Sequence, residues 1–215
     1  MKSGFRHLAM LLTAFLLLTA LGGCGAPRYS EEELRAALEE LLPRAAELNV
    51  VYFGEGLPLS DDPERLRAFF GAFDSDIASV NYNPVDESCG YTTEAALREA
   101  TEAVFTPEYA GYLFDRAFAG ISAVYNEGTE TQTTTTAMYA MYIEQNGVLT
   151  ARIDLPEQAL DVSRVCDPSG MVLDHCGDGY AVVRLPTEKD GADAGEIEVK
   201  LVKTEGGWRL DSPTY

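Results

Sequence analysis

The sequence predicts an α+β domain in which N-terminal helices pack on a curved, mainly antiparallel C-terminal sheet. Up to about residue 120, apolar residues recur at helical spacing behind capping signals. Beyond that point, short β-branched and aromatic runs alternate with glycine turns. Helices first and strands afterwards is the order that places helices on one face of an antiparallel sheet.

Ser30-Glu31-Glu32-Glu33 is a capping box, and Leu34, Leu38, Leu41 and Leu42 follow at helical spacing. A helix is expected over 31–48, with Val50 to Phe53 leading to Gly54 and Gly56. Asp62-Pro63 opens a second helix with Leu66, Phe69, Phe70 and Phe73 on its apolar face. Residues 81–90 read as a loop. Thr92 or Thr93 caps a third helix, and Thr106-Pro107-Glu108 caps a fourth that carries Tyr109, Leu113 and Phe118.

Strands are expected over 133–144, and over 148–155 after the hairpin signal Asn146-Gly147. Further strands are expected over 161–166, 171–176, 180–185, 196–203 and 208–212. The turns between them are Asp167-Pro168-Ser169-Gly170, Gly177-Asp178-Gly179 and Glu205-Gly206-Gly207. The whole of 31–215 reads as one domain, helical over 31–120 and sheet over 121–215.

Residues 1–23 stand apart from this domain. A basic head with Lys2 and Arg6 precedes an apolar run from Leu8 to Leu21, and small residues follow. That is the pattern of a secretory signal, and the run is too short for an ordinary membrane span. Leu21-Gly22-Gly23-Cys24 resembles the lipobox of bacterial lipoproteins. The resemblance implies cleavage before Cys24, acylation of that cysteine, and an extracytoplasmic domain anchored to the cell membrane by lipid. Residues 24–30 are then the lipidated cysteine and a short linker.

Cleavage removes two of the 16 basic side chains and none of the 35 acidic ones, which takes the formal charge from −19 to −21. Such a charge repels nucleic acid and anionic headgroups, and it favours basic partners. With 46% hydrophobic residues, 9 Phe and 11 Tyr, the chain can bury a full core.

Motifs that carry chemistry are scarce. Cys89, Cys166 and Cys176 are left once Cys24 is acylated; Cys166 with Cys176 is the candidate disulfide pair across a short turn, and three reduced, partly buried cysteines are the alternative. His175 adjoins Cys176 on an expected strand, so their side chains point to opposite faces and do not share a metal. Asp74-Ser75-Asp76 lacks the glycine of a calcium loop. No catalytic residue, metal or cofactor is assigned. Most aromatic residues serve the core, but Tyr91, Tyr109, Tyr112 and Tyr139 are candidates for a groove that holds a peptide or glycan.

Tyr91-Thr92-Thr93, residues 104–109 and the tail Gly207-Trp208-Arg209-Leu210-Asp211-Ser212-Pro213-Thr214-Tyr215 resemble clostridial-type lipoproteins of the IseA kind. These are inhibitors of cell-wall DL-endopeptidases. A turn followed by Trp-Arg-apolar-Asp is also similar to the end of cone-shaped ketosteroid-isomerase-type α+β domains. The first resemblance implies a non-catalytic domain that modulates a cell-envelope hydrolase. The second implies a small-molecule- or glycan-binding cone. Cap, core and tail residues carry the match, so no inhibitory residue transfers with it.

Overall fold

The computed structural model describes residues 29–71, 81–127, 133–153 and 160–215. The signal, the lipobox with Cys24, Phe73, the aspartates at 74 and 76, and Leu155 lie outside these residues.

Helix α1 spans Glu31–Phe53, and its start follows from local chemistry: the Ser30 side chain accepts from the Glu33 N–H at 3.1 Å. Its buried stripe of Leu34, Leu38, Leu41, Leu42 and Leu48 continues through Val51, Tyr52 and Phe53. The helix therefore runs five residues past the expected end. Burial of those last three side chains outweighs the weak helix propensity of β-branched and aromatic residues. Each buried leucine contributes about 1.5–3 kcal/mol, so the stripe holds the helix to the rest of the molecule. Gly54 ends it, with its N–H shared between the Asn49 and Val50 carbonyls.

Helix α2 (Pro63–Gly71), α3 (Glu94–Glu102, capped by Thr93) and α4 (Pro107–Phe114, capped by Thr106) start where the sequence signals place them. A π-turn over Asp115–Ala119 carries Phe118. The 81–90 loop is corrected in one respect, because Tyr82–Pro84 form strand β1. Proline is tolerated there because the strand lies at a sheet edge.

All strand pairs are antiparallel. β2 (Ile121–Glu127) pairs with β3 (Thr133–Tyr139), while β1, β5 (Val148–Arg152) and β4 (Tyr142–Gln145) form a three-stranded sheet. The main sheet runs β10 (Gly207–Leu210), β9 (Ala192–Thr204) and β8 (Tyr180–Lys189). Two short strands, β6 (Val165–Cys166) and β7 (Val172–Cys176), then share the outer side of β8. The expected strand over 161–166 is thus two residues long. β8 and β9 are longer than expected because Asp190 (φ 52°) and Gly191 (φ 76°) join them in a two-residue turn. Both residues need positive φ, and an Asp-Gly pair supplies it.

The inner face of this sheet presents Ala181, Val183, Leu185, Val199, Leu201, Trp208 and Leu210, all buried, and α1 lies across it. The far edge at β10 is closed by the α3–α4 link. Thr106 N–H donates to the Leu210 carbonyl, and Leu210 N–H donates to the Val104 carbonyl, each at 2.9 Å.

Candidate functional site

Two open features lie along α1. The first is a groove of about 320 Å³ between α1 and the β6 region, walled by Leu38, Leu42, Pro43, Ala46, Val165 and Pro168. Its size falls within the range of small-ligand clefts. Pro43 is exposed inside the helix and brings no N–H to the carbonyl one turn earlier, at Glu39. Glu39 and Arg164 give the otherwise apolar groove one charge of each sign.

The C-terminal tail forms the groove's floor. Thr214 is buried there, where its hydroxyl accepts from the Asn49 side-chain amide at 2.9 Å. The Cys166 thiol donates to the Thr214 carbonyl at 3.5 Å. Burial pushes that thiol's pKa up to about 11, so Cys166 is a neutral, weakly polar wall and a poor nucleophile.

The second feature is aromatic. Tyr112, 53% exposed, lies 6.0 Å from Tyr109 and stacks at 6.4 Å on Phe53, measured between ring centroids. Tyr215 packs 4.7 Å from Phe53 and lies beside the Tyr109 hydroxyl. Burial, with Tyr215 beside it, holds the Tyr109 hydroxyl well above the usual phenol range. Arg116 lies over Phe53 at 4.9 Å and donates to the Tyr52 carbonyl at 2.9 Å.

Of the four tyrosines expected to share a groove, the structure joins Tyr109 and Tyr112 and gives the others different neighbours. The Tyr91 N–H meets the Cys89 sulfur at 3.4 Å, and its side chain packs against the core. Tyr139 lies under the Arg152 guanidinium at 3.8 Å, close to Tyr82. Phe53 and Tyr215 were not expected in the cluster. Tyr215, a terminal aromatic after Asp-Ser-Pro-Thr, offered the only sequence signal.

Of the two cysteine states the sequence leaves open, the structure has the reduced one: Cys166 and Cys176 are free thiols, as is Cys89. Cys166 sits opposite Thr187 and Cys176 opposite Ala181, six positions apart along β8. At about 3.3 Å per residue that is roughly 20 Å, whereas a disulfide needs Cα atoms within about 7 Å. His175 is exposed beside Asp174, at 3.1 Å, while Cys176 packs against the core.

Several polar groups that could do chemistry are committed to the fold. The Glu33 carboxylate accepts from Lys203 Nζ and from Trp208 Nε1, each at 2.9 Å, and these donors hold it below the usual carboxylate range. Asp211 is held by Thr106 and by Lys200, the latter at 2.6 Å. Asp161 is lowered by Lys189 and Ser163, and Asp167 by Ser169. Among the described residues, no group of three or more His, Cys, Asp or Glu side chains converges as a metal site. No protein-family model matches the chain, and comparisons with the curated proteins and with the solved structures find no match.

Proposed function

We propose that this chain is a lipid-anchored extracytoplasmic lipoprotein whose domain acts by binding, without catalysis, and modulates a cell-envelope hydrolase. The observation that carries the binding reading is the groove beside α1. It is apolar, reaches the surface at Val165, which is 67% exposed, and is rimmed by Glu39 and Arg164. An extended segment of a partner protein fits such a cleft: apolar side chains enter it and the two rim charges fix direction. The lipobox and the charge of −21 after cleavage support a partner with a basic surface outside the membrane.

The test is recovery of the acylated full chain from envelope membranes with its bound proteins, followed by assay against wall endopeptidases. Recovery of a hydrolase whose activity falls when the chain is added, and recovers with Val165→Asp, supports the reading. No hydrolase recovered and no inhibition overturns it. Cys24→Ser is expected to release the protein from membranes, and continued retention would refute the lipid anchor.

A second reading is favoured by one observation, the exposed Tyr112 ring stacked on Phe53 and flanked by Tyr109. Such a surface suits the apolar face of a sugar ring. Glycan binding by calorimetry, lost in Tyr112→Ala while hydrolase inhibition is kept, would favour this reading over the first.

A further inference from the structure

Tyr29 is the first residue the structure describes, and it is fastened. Its ring meets Trp208 edge-on at 4.6 Å, and its hydroxyl accepts from the Gly179 N–H at 3.2 Å. Trp208 is in turn tied to α1 through Glu33 at 2.9 Å. Tyr29 is thereby held at one end of the main sheet, where the 177–179 and 205–206 turns lie.

From this we propose that the anchored protein stands on end on the bilayer. The two turns face lipid, while the groove, the Tyr112 cluster and the Asp190-Gly191 hairpin tip face outward. The inference rests on the lipoprotein reading of Cys24. Five residue steps separate Cys24 from Tyr29, which allows at most about 18 Å when fully extended. A chain fastened at Tyr29 cannot use the rest of the domain as slack, so the turn end stays within that distance of the headgroups.

The far end is set by element lengths. The 23 residues of α1 extend about 34 Å away from Tyr29. β8 starts at Tyr180, just after the 177–179 turn, and its 10 residues run about 30 Å. The Leu160 N–H donates to the Phe53 carbonyl at 2.7 Å and Asp161 pairs with Lys189, which brings the last residues of α1 and of β8 to the same end. Asp178, Glu205, Glu31 and Glu32 are exposed around the near end, together with Lys203, so that end is net acidic and anionic headgroups repel it. The groove spans Leu38 to Ala46, about 14–26 Å along α1 from Tyr29, so the partner that reaches it is a protein of the space outside the membrane, met above the turn end and not at the headgroups.

Trp208 is the chain's one tryptophan, which makes the test direct. Acylated full chain is reconstituted in phosphatidylcholine vesicles containing a dansyl-headgroup lipid, and energy transfer from Trp208 is measured. Strong transfer from Trp208 is expected, with a several-fold loss when the donor is moved beside the hairpin tip by Trp208→Phe with Ala192→Trp. Because Trp208→Phe removes the Glu33 contact, a second protein keeps Trp208 and carries eight Gly/Ser residues inserted after Gly25. Its transfer is expected to drop while vesicle binding is unchanged. Equal transfer from both donor positions, or no response to the insertion, overturns the orientation alone. A mass without acyl groups on Cys24 overturns the lipoprotein reading and the orientation with it.

Discussion

The Asn49 side-chain amide donates to the Thr214 hydroxyl at 2.9 Å, joining the C-terminal part of the first helix to the tail of the chain. Both side chains are buried, at 3% and 4% exposure. The tail is thus held under α1, where it also supplies the carbonyl that Cys166 meets and the ring of Tyr215 that packs on Phe53.

Asn49→Leu leaves the Thr214 hydroxyl buried without its donor and is expected to cost about 1–3 kcal/mol. Adding Thr214→Val removes the stranded hydroxyl and is expected to recover most of that loss. Urea denaturation of the two variants tests the pair. A double variant less stable than Asn49→Leu would contradict it.

The Tyr142 hydroxyl donates to the Val51 carbonyl at 2.8 Å and accepts from the Leu57 N–H at 3.0 Å. It closes the end of α1 onto the following loop. Tyr142→Phe strands two buried backbone groups, so a loss of about 1–3 kcal/mol is expected. Amide exchange at Leu57 should rise well before that at Leu38, and equal protection at both sites would argue against a local clamp.

Stability is expected to fall at both ends of the pH scale. The folded pKa of Glu33 is lowered, so its pairing with Lys203 and Trp208 stabilises the fold above the unfolded value of about 4.5 and is lost as pH falls through the folded value. Trp208 fluorescence should report that loss, and Glu33→Gln should remove the transition. Tyr52 is raised to about 12 by burial. Its contribution is complete below pH 10 and disappears as pH rises through 12, which alkaline unfolding followed by circular dichroism would detect.

Alkylation under native conditions followed by intact mass should find Cys89, Cys166 and Cys176 all reducible-agent independent, that is, free thiols before any reductant is added. Cys166 should react slowest at pH 8 because its thiol titrates near 11. A two-proton mass deficit mapped to Cys166 and Cys176 would require β6 and β7 to leave β8.

Helix starts were legible because a cap is a local event: Ser30, Thr93 and Thr106 each accept from an N–H three residues on. The α+β order and most turns were legible for the same reason. The Asp190-Gly191 turn is an equally local signal, and it carries β8 and β9 beyond the expected 180–185 and 196–203. The end of α1 could not be read locally, because Val51, Tyr52 and Phe53 are helical through burial against distant segments. Cys166 and Cys176 look adjacent in sequence, yet they pair at different positions along the same strand. The Tyr109–Tyr112 contact is one helical step and was foreseeable, whereas Phe53 and Tyr215 reach it from opposite parts of the chain.

The outer rail of the main sheet is broken. β6 has two residues, a 3-10 turn over Pro168–Gly170 follows, and β7 shifts register between Leu173 and His175. Along that rail a neighbouring copy therefore finds no continuous run of free backbone to zip onto. Lipid-tethered molecules crowded into a plane collide far more often than the same number free in solution. Were the domain anchored as proposed, the interruption would keep this rail from pairing strand to strand in such a crowd.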